Sequence, residues 1–275
     1  MKIVEKKILV DSQGIKVVWF EAAAPLIAKK AGPGQFVVLM VKEEGERIPL
    51  TIVDRNIEKG TVTLIVQELG LTTKLLGRLN IGDSLYALAG PLGHSTEIKN
   101  YGKVILVGGG VGIAEIYPVA KALKQAGNHI ATILGARSKD ILILEEELKK
   151  VSDEFYVTTD DGTYGRKGFV TEVLKELTAK DKYSLMYSVG PIPMMKNTAL
   201  VTKEAGLKTL VSLNSLMIDA TGMCGGCRVT VSGQVKFACV DGPEFDGHLV
   251  NWTELEKRNR VYEEKEKHVC KLNKL

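Results

Sequence analysis

The sequence predicts a β plus α/β protein with an N-terminal antiparallel β-barrel, a parallel-sheet α/β domain and a small C-terminal metal-binding region. Three observations support this fold class. Short β-rich runs separated by turn residues fill residues 1–97, apolar strands alternate with amphipathic helices through residues 98–215, and a glycine- and cysteine-rich segment opens residues 216–275. These patterns are typical of a barrel, of a parallel sheet covered on both faces, and of a metal or cluster site, respectively.

Composition and charge exclude several classes of protein. The 275 residues are 45% hydrophobic and 25% charged, which is enough for sizeable cores and unlike a disordered chain. The net charge is +4, and no basic stripe concentrates it, so we expect no nucleic-acid partner. Lys103 and Glu115 bracket the most apolar run and the start of the chain lacks a signal peptide. We therefore expect a cytoplasmic protein without a membrane span.

Six strands and one helix are predicted in the first region. Runs of β-branched and alternating residues, bounded by Gly, Pro and charged turns, indicate the strands. The strands are Ile3–Val10, Ile15–Glu21, Gln35–Val41, Leu50–Asp54, Thr61–Gln67 and Ser84–Leu88, and the helix is Leu71–Leu79. The break Gly90-Pro91-Leu92-Gly93 then marks the end of the barrel.

The second region repeats a strand followed by a helix. Strands are predicted at Val104–Val107, Ile130–Leu134, Phe155–Thr158, Ser184–Val189 and Thr209–Leu213, and helices at Gly112–Gln125, Ile141–Val151, Phe169–Ala179 and Met194–Ala205. This alternation is typical of a parallel sheet and of nucleotide-binding domains. A charged tail from Glu254 is predicted to be helical and exposed.

The strongest chemical signal is an aspartate followed by three cysteines, in the spacing D-x4-C-x2-C-x11-C. This equals the plant-type [2Fe–2S] pattern with a carboxylate in place of the first thiolate. Gly222, Gly225 and Gly226 are predicted to allow the positive φ angles of a loop that wraps a cluster. The predicted ligands are Asp219, Cys224, Cys227 and Cys239.

A structural zinc site is the alternative for the same segment. Zinc also accepts a Cys-x2-Cys pair, and the three cysteines would then be joined by His248, Asp219 or Cys270. The cluster is favoured because a zinc knuckle usually presents two such pairs and this segment has one. Cys270 lies in the charged tail and is interpreted as an incidental thiol.

Two further segments suit phosphate groups. Gly108–Gly112 follows an apolar strand and opens a helix, where backbone N–H groups meet a pyrophosphate, although Ile113 occupies the third glycine position of the usual fingerprint. A plain tight turn is the alternative. Arg137, after the next strand, either contacts a ribose or 2′-phosphate or is a surface charge. In the barrel, Glu46–Thr51 contains an arginine that can pair with a diphosphate. Gly70–Lys74 lies at a helix start, whose hydroxyl and N–H groups can bind the remaining oxygens.

Taken in order, these features resemble the ferredoxin–NADP reductase superfamily, and more closely its electron-transfer subunits that end in a [2Fe–2S] cluster. The resemblance covers nearly the whole chain. The matching segments are Pro33–Val37, Arg47–Thr51, Gly90–Gly93, Gly108–Gly112 and Gly190-Pro191.

Two branches of that superfamily compete. Electron-transfer subunits of dihydroorotate dehydrogenase normally hold the cluster with four cysteines. Small subunits of NADH-dependent reduced ferredoxin:NADP oxidoreductases, also known as sulfide dehydrogenases, use three cysteines and an aspartate. The aspartate at 219 and the following segment Val240–His248 are similar to the second branch.

The resemblance implies the site residues and cofactors. FAD is expected along the barrel, near Arg47, Pro49, Leu50, Thr51, Gly70, Thr72 and Thr73. NAD(H) or NADP(H) is expected at Gly109, Gly110, Gly112, Arg137, Asp160, Asp161, Gly190 and Pro191. The barrel motif departs from the family pattern, because Leu50 replaces an aromatic residue and Arg47 sits one residue further back.

The implied function is electron transfer between carriers of different kinds. A nicotinamide exchanges hydride with FAD without an acid–base residue, and electrons then pass singly through the cluster to a larger flavin and iron–sulfur subunit. Ferredoxin is reached only through that subunit, where the family also places electron bifurcation. A non-catalytic nucleotide-binding module with structural zinc is the alternative from another class.

Overall fold

The computed structural model describes residues 1–272, with side chains described through Val269. The described chain forms two compact units. The barrel unit contains residues 1–95, 214–243 and 251 onward, and the sheet unit contains residues 96–213 and 244–250. The predicted cluster segment therefore belongs to the same unit as the N-terminal strands.

Seven antiparallel strands in two sheets build the N-terminal part of the barrel unit. The elements are β1 (Ile3–Ser12), β2 (Ile15–Ala23), α1 (Pro25–Lys30), β3 (Phe36–Met40), β4 (Ile48–Thr51), β5 (Asp54–Asn56), β6 (Thr61–Gln67), α2 (Leu71–Arg78) and β7 (Ala87–Leu92). One sheet has the order β1-β2-β6-β5 and the other β4-β3-β7. Val18 and Leu64 from the first sheet and Val37 and Leu39 from the second are fully buried in one core.

The predicted single strand 50–54 is wrong, because this run belongs to both sheets. β4 pairs with β3 and β5 pairs with β6. Ile52 and Val53, between them, are buried, and their N–H groups donate to the carbonyls of Gln35 and Thr63 at 3.0 and 2.9 Å. The chain thus crosses from one sheet to the other while its side chains stay in the core.

The sheet unit is a twisted parallel sheet with helices between the strands. Its elements are β8 (Lys103–Gly109), α3 (Gly112–Gln125), β9 (His129–Ala136), a 3₁₀ turn (Lys139–Ile141), α4 (Glu145–Lys150), β10 (Glu154–Thr159), β11 (Arg166–Lys167), α5 (Val170–Lys180), β12 (Leu185–Val189), α6 (Ile192–Glu204) and β13 (Thr209–Ser212). The strand order is β11-β10-β9-β8-β12-β13.

Both faces of this sheet are covered, as the continuous apolar strands predict. Ile105 and Val107 of β8 pack in one cluster with Leu174 of α5. Val104 and Leu106 alternate with them, so they point to the opposite face, and they are equally buried. The predicted fold class is confirmed by this architecture.

The C-terminal region adds a hairpin, an edge strand and two helices. These are β14 (Arg228–Val231), β15 (Gln234–Phe237), β16 (Glu244–Asp246), α7 (Trp252–Asn259) and α8 (Glu263–Leu272). β16 pairs antiparallel with β13 at the edge of the parallel sheet. None of the helices within residues 1–272 is long and apolar enough to cross a membrane.

The edge strand β16 brings a carboxyl group into the interior of the sheet unit. Thr96 and Tyr187 both donate to the Oε1 atom of Glu244, and the Tyr187 bond measures 2.9 Å. Burial raises the pKa of Glu244 above its ordinary value of 4.5, although both hydroxyl donors act to lower it. The native state therefore binds this proton more tightly than the unfolded chain does.

A folded-state pKa that is raised makes the ionised carboxylate unfavourable for folding. Its cost to stability grows as pH rises above the ordinary value of 4.5, and it is complete above the native pKa. Glu244→Gln keeps an acceptor for both hydroxyls and stays neutral. We expect its melting temperature to match that of the wild type near pH 4 and to exceed it increasingly toward neutral pH. Circular dichroism melts across pH would measure this, and a difference independent of pH would contradict the argument.

Candidate electron-transfer site

A cavity of about 710 Å³ opens within the barrel unit. Its wall combines segments that are far apart in sequence. They are Gly45–Pro49 before and in β4, Gly70–Thr73 at the start of α2, Asn214–Ile218, and the residues Asn259, Tyr262, Lys265, Glu266 and Val269 of the C-terminal helical region. A volume of this size suits a large cofactor.

The start of α2 is built to receive an anion. Gly70 is the N-cap, and the N–H groups of Leu69 and Gly70 donate to Thr73 Oγ1 at 2.9 and 3.0 Å. A Cβ added to Gly70 would meet nothing within 4 Å, so the space beside this turn is open. The helix dipole and Arg47 favour negative charge at this part of the wall, although Glu46 and Glu266 also line the cavity. These features fit the diphosphate of FAD.

The predicted flavin residues divide into two groups. Arg47, Pro49, Gly70, Thr72 and Thr73 line the cavity. The remaining two, at positions 50 and 51, continue β4 outside the lining.

A carboxylate meets one of these predicted contacts. The Thr72 hydroxyl donates to Glu46 Oε2 at 2.6 Å, and Glu46 is itself part of the wall. The side chain of Thr72 is buried, so this bond orders the α2 end of the cavity.

Sequence reasoning missed the part of the wall formed by Asn214–Ile218. Within it, Ser215 is 3% exposed and its Oγ atom has no hydrogen-bond partner. A buried hydroxyl without a partner is costly, and a polar group in the cavity would satisfy it. The cavity therefore fits a cofactor with hydrogen-bonding atoms along its length. No motif marks this segment in the sequence, where it only precedes the cysteines.

The glycine turn in the sheet unit has two kinds of glycine. Gly110 has φ +56°, and a Cβ there would meet nothing within 4 Å, so it leaves an open cradle. A Cβ at Gly112 would lie 2.6 Å from the carbonyl oxygen of Val189, so this glycine is required by the packing of α3 on β12. Of these two, Gly110 is the position where a dinucleotide gains access to the backbone.

The other predicted dinucleotide residues gather at the same sheet edge. Arg137 follows β9, Asp160 and Asp161 follow β10, and the Asp161 N–H donates to the Arg137 carbonyl at 3.2 Å. Carboxyl ends of parallel strands share one edge, which is where such sheets bind ligands. Thr163 donates to Asp161 from its N–H and hydroxyl, which lowers the pKa of that carboxyl.

Gly190-Pro191 follows β12 at this edge too. A Cβ at Gly190 would lie 3.1 Å from the Gly109 backbone nitrogen, so the turns after β8 and β12 touch. The structure thus brings all eight predicted dinucleotide residues to one edge of the sheet.

Two of the predicted cluster ligands form a buried pair. Cys227 and Cys239 are 2% and 1% exposed, and their Sγ atoms lie 3.2 Å apart. Burial, then the Cys227 thiol, raises the pKa of Cys239 to about 12, and the charge of Asp219 contributes in the same direction. Metal binding favours the thiolate of a buried thiol such as Cys239.

The other two predicted ligands form a second pair. The Asp219 carboxylate accepts the Thr221 N–H at 2.9 Å, which lowers the pKa of Asp219, and a bond from the Cys224 thiol acts in the same direction. Cys224 is exposed, and its Sγ atom accepts the Gly226 N–H at 3.3 Å. Asp219 is therefore an ionised carboxylate beside an accessible thiol.

The loop backbone differs from the prediction at one glycine. Gly222 and Gly225 have positive φ as predicted, but Gly226 does not, and Ala220 does at +59°. Close packing instead leaves little room at Gly226, since a Cβ would lie 3.3 Å from carbons of Ile218 and 3.4 Å from the Cys224 sulfur.

The four predicted ligands lie in two pairs, as a [2Fe–2S] centre with two ligands on each iron requires. Within the described residues, no group of three or more His, Cys, Asp or Glu side chains is arranged to hold a single metal ion. A [2Fe–2S] cluster needs two ligands on each iron. His248 belongs to the sheet unit, where its Nε2 atom lies 3.0 Å from Thr202 Oγ1. The side chain of Cys270 lies outside the described residues.

Comparisons with known proteins agree with these sites. The profile of the iron–sulfur cluster binding domain of dihydroorotate dehydrogenase B matches residues 214–251. The oxidoreductase NAD-binding domain profile matches residues 106–199. The chain is 54% identical over 244 residues to a protein of Thermotoga maritima named dihydroorotate dehydrogenase B (NAD(+)), electron transfer subunit homolog, covering 89% of this chain and 86% of the relative. The chain belongs to the family of dihydroorotate dehydrogenase B electron-transfer subunits and their homologues.

Solved structures extend this result. A chain from a study of flavin-based electron bifurcation in an NADH-dependent reduced ferredoxin-NADP oxidoreductase has 50% sequence identity and a TM-score of 0.90, over 97% of this chain and 95% of that one. A cytochrome P450 reductase of Amycolatopsis, at 22% identity and a TM-score of 0.63, covers 74% of this chain and 65% of that one, and it shares the fold.

Family membership confirms the predicted oxidoreductase with an iron–sulfur cluster, FAD and a nicotinamide dinucleotide. It also decides between the two metal hypotheses for the cysteine-rich segment. The profile that matches residues 214–251 describes an iron–sulfur domain, so the structural zinc alternative is not supported.

Replacing a ligand should release the cluster from this family member. We expect Cys224→Ser, Cys227→Ser, Cys239→Ser and Asp219→Ala to lower iron and acid-labile sulfide well below the wild-type content. The reason is that each change leaves one iron with a missing or weaker ligand. Asp219→Cys should keep the iron, because a thiolate carries the same charge, and should change the EPR spectrum of the reduced protein.

Cys270→Ser is the matched control for loss of a thiol, and we expect it to retain wild-type iron and sulfide. Full iron in Cys239→Ser, or stoichiometric zinc in the wild-type protein, would contradict the ligand assignment. Metal analysis and sulfide assays on anaerobically purified protein measure both.

Proposed function

We propose that this chain is the small subunit of an NADH-dependent reduced ferredoxin:NADP oxidoreductase. The observation that carries the proposal is the pairing of Asp219 with Cys224 where a four-cysteine site would place a thiolate. Three thiolates with one carboxylate are the ligand set that the resemblance associates with this branch. The 50% identity over nearly the full length to the oxidoreductase of that name supports it.

We assign the cavity of the barrel unit to FAD. Gly70 and the start of α2 bind the diphosphate, with Arg47 supplying positive charge and Ser215 supplying a hydroxyl. When bound, the flavin supplies the ability to exchange two electrons as hydride and single electrons in turn. The residues of the wall bind and orient it and exclude water, and no side chain is required to move a proton.

We assign the carboxyl edge of the parallel sheet to the nicotinamide dinucleotide. Gly110 gives the pyrophosphate access to backbone N–H groups at the start of α3. Arg137 lies exposed beside the Asp160-Asp161 turn and is placed to meet a ribose or a 2′-phosphate. Gly190-Pro191 borders the position of the nicotinamide, next to the glycine turn.

We assign the cluster loop to the exit of electrons toward a larger subunit. The buried Cys227 and Cys239 would hold one iron, and Asp219 and the exposed Cys224 would hold the other. Met223, next to Cys224, is 83% exposed, so the outer side of the loop is open to a partner. A larger flavin and iron–sulfur subunit is the proposed partner, and ferredoxin reacts with it rather than with this chain.

A second candidate is the electron-transfer subunit of a dihydroorotate dehydrogenase. The name of the Thermotoga maritima relative favours it. The two candidates share the cofactors and differ in the catalytic subunit that receives the electrons. We also propose a cytoplasmic location, because a reducing compartment preserves free thiols such as Cys224 for cluster assembly.

Isolation of the native complex separates the two candidates. Whole-complex mass spectrometry should find this chain with one larger subunit that carries flavin and further iron–sulfur clusters. The purified complex should reduce NADP⁺ when given NADH together with reduced ferredoxin, and it should not reduce NAD⁺ with dihydroorotate. Dihydroorotate-dependent reduction of NAD⁺ would instead establish the second candidate.

A further inference from the structure

Two neighbouring residues of α7 bind both ends of the segment that runs from the cavity wall to the cluster loop. Asn259 Nδ2 donates to the Asn214 carbonyl at 2.8 Å, and its Oδ1 accepts the Leu216 N–H at 3.3 Å. These contacts fix the start of the segment, which lines the proposed flavin cavity.

Arg258 fixes the other end of that segment. Its Nη2 atom donates to the Gly226 carbonyl at 2.8 Å and lies 3.5 Å from the Gly225 carbonyl. Both glycines lie between Cys224 and Cys227. The N–H of Gly226 donates to the Cys224 sulfur. Gly226 therefore contacts Arg258 through its carbonyl and a proposed cluster ligand through its N–H.

The helix that carries Arg258 is anchored independently of the loop. Asn251 caps α7 by accepting the Glu254 N–H at 3.1 Å, and the Asn251 N–H donates to the Thr230 carbonyl of β14 at 2.8 Å. Leu255 is buried at 1% exposure. Since α7 is held by these contacts, the guanidinium is a fixed cation against the cysteine loop.

The positive charge of Arg258 also affects the electrostatics of the proposed cluster. The proposed ligand set is three thiolates and a carboxylate, and reduction adds one more negative charge to the centre. An arginine stays protonated at all relevant pH values, and half-burial reduces its screening by water. Net charge and hydrogen bonding around a cluster set its reduction potential. Arg228 also reaches the Gly225 carbonyl, at 3.5 Å, but it is exposed.

We propose that Arg258 is a positioning residue that holds the cluster loop and raises the reduction potential of the cluster. The inference rests on the proposed cluster assignment. Helix α7 then acts on two sites. Asn259 holds part of the proposed flavin cavity wall, and Arg258 raises the reduction potential of the cluster that accepts the electron.

An EPR-monitored redox titration of the intact complex tests this. Arg258→Gln removes the charge and keeps one amide donor, and we expect the equilibrium constant for cluster reduction to fall on the order of tenfold, a shift of about 59 mV to more negative potential. Arg258→Lys keeps the charge and should stay close to the wild type. Arg260→Gln removes an exposed charge from the end of the same helix and should leave the potential unchanged.

The outcomes separate this inference from the proposed function. The cluster of this chain is the EPR signal that Asp219→Cys changes, and a complex in which that variant changes no iron–sulfur signal would refute the cluster assignment itself. A normal wild-type signal with an unchanged potential in iron-replete Arg258→Gln would overturn only the role of Arg258. If Arg258→Gln loses its iron, Arg258→Lys decides, since an iron-replete Lys variant shifted by tenfold contradicts the role of charge. Loss of iron from both, with full iron in Arg260→Gln, would leave Arg258 as a loop-holding residue and overturn its effect on the potential.

Discussion

The buried pair of thiols, Cys227 and Cys239, constrains the rest of this molecule. Their sulfur atoms lie 3.2 Å apart, and burial is the largest cause that raises the pKa of Cys239 to about 12. In the proposed ligation, iron would supply the missing positive charge, and the half-buried Asp219 and the exposed Cys224 would be its other two ligands. One proposed pair of ligands is buried and the other includes the exposed Cys224, so the loop has a buried side and a solvent-facing side.

The proposed flavin and cluster sites of the barrel unit share one segment of the chain. The segment that begins at Asn214 lines the cavity of the barrel unit and continues directly into the cysteine loop. Helix α7 contacts both parts of this segment through adjacent side chains. In the sheet unit, the glycine turn after β8 contacts the turn after β12. The same turn holds Gly112, which the packing of α3 requires, and Gly110, which leaves open space for a dinucleotide. Each site is thus a property of the fold and not of an isolated motif.

Sequence reasoning predicted the features that depend on local pattern. The period of the apolar residues identified both architectures, and ligand spacing identified the cysteine loop and the glycine turn. It missed features that depend on distant pairing. Ile52 and Val53 lie inside one predicted strand, yet in the structure they mark a crossing between two sheets. Glu244 lies where no strand is predicted, yet it enters the sheet unit through β16. Ser215 and the α8 side of the cavity carry no motif, because only tertiary packing brings them to the Gly70 turn. The positive φ predicted for Gly226 is wrong, and the structure shows instead that Ile218 leaves little room beside this glycine.

The central claim is that a two-electron donor reaches a one-electron outlet through this chain. Anaerobic stopped-flow mixing of the holoprotein with NADH tests it most directly, because flavin and cluster absorb at different wavelengths. The account predicts that the flavin absorbance bleaches first and that the cluster is reduced afterwards, at a rate that does not depend on the NADH concentration. Cluster reduction without a preceding flavin phase would contradict it.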